Sequence, residues 1–303
     1  MALPAGKLLS VRRMAVLLLL LVNGSDAIFA TSEPGRAPEY CTVFHHMMKS
    51  AGSTVKAMLQ KAAVQAKLPK PAVCVTGASR VPMCMEAINS SAVIAGCAEL
   101  VRNPLQEAAR ECEYFTVMRH PVDRLVSAFF YCPTDHDIQN RPAKWCGYAD
   151  HEVPVTERLV EYAEQSWRNK AFRQMTFGLY CPADTFCEAR LDAPQTMEDP
   201  GGVEAFRQVE EIMSTYVAVG IMEHWDLSMQ LFNVRVRSPV PDWNQFRLAN
   251  SGQASGLRDE VQQWARESVD IQRTIDTDLK LYAHALSVFK QQTAEVLGTH
   301  WTE

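Results

Sequence analysis

The chain is short of several things, and each shortage removes a class of function. It has no dense basic run, and 30 Lys and Arg stand against 35 Asp and Glu, a formal net charge of −5. A nucleic-acid surface needs concentrated positive charge, so none is expected here. No long polar or low-complexity tract occurs, and 47% of the residues are hydrophobic, which argues against disorder. No internal repeat is present. No apolar run reaches the roughly 20 residues that a membrane-crossing helix needs. No C-x-x-C pair offers the spacing of a zinc site. The G-x-x-x-x-G-K-[ST] signature of Walker-type phosphate loops is missing as well. An anionic ligand would have to be held by a few placed cations.

What is present begins with a targeting segment. Lys7, Arg12 and Arg13 form a basic start, the apolar run 14–22 follows, and Asn23, Gly24, Ser25 and Asp26 interrupt it. This is the pattern of a secretory signal peptide over residues 1–30, with small residues at Ser25-Asp26-Ala27 suited to cleavage. Residues 27–30 extend the run enough to leave a signal-anchor as the alternative, its basic residues kept in the cytosol. In both cases the remainder enters the lumen of the secretory pathway. Residues 31–40, with Pro34, Gly35 and Pro38, read as a linker.

Nine cysteines suit an oxidising compartment. The close pairs Cys132/Cys146 and Cys181/Cys187 are candidates for short bridged loops, although sequence leaves connectivity open and an odd count leaves one thiol over. Two glycosylation sequons occur, at Asn23 and Asn89.

Beyond residue 40 the hydrophobic pattern alternates. Short apolar runs at 42–46, 73–76, 92–96, 114–118 and 216–221 predict strands. Helical periodicity follows the first of them, where Val55, Met58, Leu59, Ala62 and Ala66 make one apolar face. It returns after Pro121 with Val122, Leu125, Val126, Phe129 and Phe130. Further helices are predicted over 155–177, 203–215, 225–234 and 257–292, the last with a break near Asp276, and residues 239–256 read as loop. Alternating strands and helices predict a single α/β domain over residues 41–303, a parallel sheet with helices on both faces.

Two strand-to-helix turns have the chemistry of an anion site. In the first, Lys49, Ser50, Ala51, Gly52, Ser53 and Thr54 open a helix with backbone amides, hydroxyls and one ammonium. Alone, this pattern serves equally as an ordinary helix start. In the second, Arg119 ends a strand and Ser127 lies two turns into the next helix, a pairing suited to phosphate. Alone, Arg119 or Arg124 could equally pair with Asp123 or Glu113 at the surface.

Taken together, the turns resemble the two signatures of the membrane-associated carbohydrate sulfotransferases of the Golgi. The first, approximately F-x-H-x-x-K-x-[GA]-G-[ST]-[ST], is matched by Phe44, His46, Lys49, Gly52, Ser53 and Thr54. The second, approximately F-[TS]-x-[LVM]-R-[DNH]-P-[VL]-x-R-x-x-S-[AR], is matched by Phe115, Arg119, Pro121, Arg124, Ser127 and Ala128. Val219-Gly220-Ile221-Met222-Glu223 resembles the family's V-G-x-x-E strand end, and Asp278-Leu279-Lys280-Leu281-Tyr282 its D-x-x-L-Y helix.

The resemblance implies a P-loop-like fold that binds 3′-phosphoadenosine 5′-phosphosulfate (PAPS) and passes its sulfuryl group to a hydroxyl, with a carbohydrate as the expected acceptor. Residues 49–54 would cradle the phosphosulfate, and Arg119 and Ser127 would grip the 3′-phosphate. Residues 247–251 would close over the nucleotide. Lys49 would stabilise the developing charge. No metal is called for. A Golgi location, membrane-held or secreted after cleavage, is implied.

A general base is also expected. Many relatives carry it as histidine in a G-H-[FY] context, where this chain has Gly96-Cys97-Ala98-Glu99. Glu99 is the preferred base, ahead of His46 and His120; for His120 the favoured role is helix capping. Two other readings stay open. A luminal phosphotransferase is disfavoured by the missing Walker lysine and the lack of paired carboxylates for Mg²⁺. A non-catalytic nucleotide- or glycan-binding relative is kept open by Cys97. Trp145, Tyr148 and Trp243 are aromatic candidates for a sugar platform, or for core.

Overall fold

In the computed structural model, residues 41–68, 73–75, 93–96, 112–131, 146–148, 152–180, 194–245 and 256–301 are described. The apolar runs become five strands: β1 (Thr42–His45), β2 (Val73–Val75), β3 (Val93–Gly96), β4 (Glu113–Met118) and β5 (Ala218–Ile221). They form one sheet in the order β2-β3-β1-β4-β5, and every neighbouring pair is parallel. All four residues of β1 and all four of β5 are buried, so neither face of the sheet meets solvent there. This is why the strands read as unbroken apolar runs and not as alternating ones.

Register decides which residues meet. Phe44 lies opposite Phe115, on a face where Phe232 and Trp243 pack edge-on against Phe115 with ring centroids 5.2 and 5.8 Å away. Trp243 is thus a core residue, not a sugar platform. On the other face, Tyr216 stacks on Tyr114, and its hydroxyl lies 3.1 Å from Nδ1 of His45.

The helices are α1 (Gly52–Gln65), α2 (Pro121–Phe129), α3 (Val155–Tyr162), α4 (Lys170–Tyr180), α5 (Gly202–Ser214), α6 (Trp225–Arg235), α7 (Gly256–Glu267), α8 (Val269–Thr274) and α9 (Asp276–Leu297). Gln292 of α9 covers the outer edge of β5, accepting from the Val219 amide and donating to the Tyr216 carbonyl. One free amide of the edge strand is thereby satisfied. Val122, Leu125, Val126, Phe129 and Phe130 are all buried, as the periodicity predicts, in a second cluster with α3, α7 and α8. Among the described residues, no helix is long and apolar enough to cross a membrane.

Two expectations are corrected. The helix predicted over 155–177 is interrupted: α3 runs into a π-helical turn at Ala163–Trp167, and Asn169 then adopts φ +43° before α4 begins. The cause is a contact from far along the chain. Oδ1 of Asn169 accepts the Asp278 amide, while the Asp278 carboxylate accepts the amides of Ala171 and Phe172 at the start of α4. The helix predicted over 257–292 breaks at Ile275, next to Asp276 where a break was expected, but it also breaks at Ser268, whose hydroxyl accepts the Ile271 amide.

The described disulfide joins Cys41 and Cys112, 71 residues apart, at the starts of the neighbouring strands β1 and β4. This pairing was not among the close pairs expected. Closing a loop of that length contributes about 4 kcal/mol in the chain-entropy account. Cys146 is also disulfide-bonded. Cys132, Cys181 and Cys187 lie outside the described residues, as do the leader and linker.

Candidate functional site

The strand order creates the site. After β1 the chain moves to β2 and β3 on one side, and from β4 it moves on to β5 on the other. The crevice between the carboxyl ends of β1 and β4 is therefore a topological switch point, where open parallel sheets bind ligands. The two turns singled out in the sequence flank it. Nη1 of Arg119 donates to the Lys49 carbonyl at 3.4 Å, linking them.

The first turn has a backbone shaped for an anion. Lys49 has φ +64° and Ala51 φ +59°, on either side of Ser50. Left-handed residues in a turn can direct N–H groups toward one concavity, although the Ser50 amide itself donates to the Met47 carbonyl at 3.3 Å. The first intrahelical bond of α1 runs from the Val55 amide to the Ala51 carbonyl, so the amides of Gly52, Ser53 and Thr54 lie ahead of it. No side chain caps this helix, and its first turn carries no acidic residue. A helix N-terminus without cap or carboxylate keeps its positive end for another partner. Ser50 supplies a second, independent sign: its side chain is 1% exposed, and Oγ is buried without a hydrogen-bond partner. A buried hydroxyl left unpaired is costly unless a ligand completes it.

Gly52 is required by packing. A β-carbon there would lie 1.6 Å from the His46 ring. That ring is held between Gly52 and Phe44, whose ring centroid is 6.0 Å away. Burial, then the nearby charges of Lys56 and Lys49, push the His46 pKa down to about 4, so its imidazole is neutral at pH 7. Ser53 is exposed and Thr54 half-buried at the mouth of the turn. The Lys49 ammonium lies 3.7 Å from the centre of the Tyr131 ring.

In the second turn, Arg119 is half-buried just beyond β4. Burial lowers its pKa, Asp123 and Glu223 raise it, and Arg258 and Arg124 lower it again. Among the described residues its hydrogen bond is to Lys49, and no carboxylate is within ion-pair distance. The surface pairings weighed for it go elsewhere. Asp123 binds Arg266 and Gln262, Glu113 binds Arg237, and Arg124 is buried against Asp278. Ser127 is half-buried on the second turn of α2.

The two later segments close around this turn. Oε1 of Glu223 accepts the His120 amide at 2.9 Å, and Oε2 accepts the Tyr282 hydroxyl at 3.1 Å. The Tyr282 ring meets the His120 ring edge-on with centroids 5.3 Å apart. His120 stands at the N-cap of α2 but makes no side-chain cap, because its ring is turned toward Tyr282. Its expected capping role is thus not observed.

Arg258, at the start of α7, was not foreseen. It lies close enough to Arg119 for its charge to depress that group. Nothing in Gly256-Leu257-Arg258-Asp259-Glu260 distinguishes it from an ordinary helix-surface arginine. Glu99, Cys97 and residues 247–251 lie outside the described residues. Among those described, no cluster of His, Cys, Asp or Glu could hold a metal ion. No protein-family model and no curated protein matches this chain.

Proposed function

We propose that this protein is a PAPS-dependent sulfotransferase of the secretory pathway that modifies a carbohydrate or glycoconjugate hydroxyl. One juxtaposition carries the reading. The turn of Lys49, with the unpartnered Ser50 hydroxyl and the uncapped α1 terminus, lies across the β1–β4 crevice from Arg119. Two anion-binding turns side by side suit a ligand with two phosphate-type groups. The central β1, followed by its turn and α1, supports a P-loop-like fold without a Walker lysine. The Cys41–Cys112 disulfide suits an oxidising lumen, and so supports the Golgi or a secreted location.

When bound, PAPS supplies an activated sulfuryl group on its 5′-phosphate and a 3′-phosphate handle. Residues 49–54 hold the 5′ end through backbone amides and the hydroxyls of Ser50, Ser53 and Thr54. Arg119 and Ser127 hold the 3′-phosphate, with Arg258 adding positive charge nearby. Lys49 stabilises the negative charge that builds as the sulfur–oxygen bond to the leaving phosphate breaks. Glu99 takes the proton from the acceptor hydroxyl as its oxygen bonds to sulfur. His46, with its pKa near 4, is the weaker candidate for that role. Its ring works instead as a wall of the turn.

The test is calorimetric titration of the full chain with 3′,5′-ADP, using 5′-AMP and ATP as controls. Binding that requires the 3′-phosphate and drops at least tenfold in Arg119→Ala is expected, since a charge-assisted pair is worth about 1.5–3 kcal/mol. Equal affinity for 5′-AMP would overturn the reading.

A further inference from the structure

Tyr131 is out of place as a core residue. It follows α2 immediately, and its neighbours Phe129 and Phe130 are buried, yet Tyr131 is 56% exposed. It belongs to neither hydrophobic cluster. What its ring does meet is the Lys49 ammonium, 3.7 Å from the ring centre. Tyr131 is also one turn beyond Ser127, on the segment that leaves the second anion-binding turn. The helix that begins at one turn is thus followed by a residue that meets the cation of the other.

Lysine is a flexible, strongly hydrated cation, and fixing its four-carbon stem costs side-chain entropy. A ring face attracts an ammonium through its quadrupole and adds no negative charge. We infer that Tyr131 is a positioning residue for Lys49, holding the ammonium over the α1 terminus ready for the 5′ anion. It acts through Lys49 and is not itself a catalytic residue. The assignment rests on the sulfotransferase reading for the identity of the anion.

The experiment is a double-mutant cycle on the full chain, read by calorimetric titration with 3′,5′-ADP. That ligand keeps its 3′-phosphate grip on Arg119 in every variant, so binding stays measurable when Lys49 is changed. Thermal melting of each protein verifies folding. Tyr131→Leu is expected to weaken binding about threefold to fivefold, the range of an exposed cation–π contact. Tyr131→Phe, which keeps the ring face, should restore it. In the Lys49→Met background, Tyr131→Leu should change nothing further, a coupling that a purely structural tyrosine would not show. Equal losses from Tyr131→Leu in both backgrounds, or no loss in either, would overturn the inference while leaving the cofactor reading intact. Failure of the unmutated chain to bind 3′,5′-ADP would instead defeat that reading, and this inference with it.

Discussion

Nη2 of Arg124 donates to Oδ2 of Asp278 across 2.8 Å, with the two side chains 2% and 1% exposed. The pair ties α2, the helix of the second turn, to α9 from the far end of the chain. The same carboxylate takes the first two amides of α4. Burial pushes the Asp278 carboxyl up and the Arg124 guanidinium down, against their attraction for each other. Both residues belong to the segments that resemble sulfotransferase signatures, and here both are framework.

Breaking this pair on one side is therefore expected to cost stability. Arg124→Met leaves a buried carboxylate without its cation, and Asp278→Ala strands the guanidinium and frees two helix amides. Each should lower unfolding free energy by about 3–5 kcal/mol in urea titrations. A change under about 0.5 kcal/mol in either would show that the pair does not hold the helices together.

Gly52→Ala is expected to fail for a different reason. The added methyl group would overlap the His46 ring, and moving that ring disturbs Phe44 and the turn. A loss of about 1–3 kcal/mol is expected, the usual range for overpacking. Replacing His46 by alanine in the same protein opens the space and should recover part of the melting temperature. If the second change only adds to the damage, the two residues are not in conflict over that space.

Stability should fall on mild acidification. Burial holds His45 at a pKa of about 3 and His46 at about 4, against 6.5 for the ordinary side chain. The unfolded chain thus binds more protons than the folded one between those values. Stability is full above pH 6.5 and is lost as the pH falls toward 4 and 3. His120, also lowered by burial, adds the same sign. His45 and His46 together contribute a slope of at most about 2.7 kcal/mol per pH unit, from 1.36 kcal/mol per unit for each. Urea midpoints from pH 7.5 down to pH 5 measure it, and a flat profile would mean that these rings are hydrated in solution.

Much of the site was legible because its parts are local. A strand of Thr42-Val43-Phe44-His45 followed by lysine and small residues describes its own turn, whose left-handed backbone involves only neighbouring residues. Arg119 and Pro121 likewise mark where β4 ends and α2 starts. The break at Asn169 was not legible, since residues 155–177 are helical by pattern and the interruption comes from Asp278. Arg258 was missed for a similar reason. It reaches Arg119 only through the placement of α7, and helix-surface arginines look alike in sequence.

By itself, then, the sequence determined the alternation of strands and helices, the buried face of α2 and the chemistry of each turn. These follow from side-chain periodicity and from residues within a few positions of one another. The tertiary structure alone decided that the strand order sets the two turns across one crevice and that Cys41 bonds Cys112. It also decided that Arg124 is buried against Asp278 while Arg119, among the described residues, bonds the Lys49 carbonyl and pairs with no carboxylate. Those outcomes depend on which distant segments share a neighbourhood, and the packing of the whole sheet and its helices settles that.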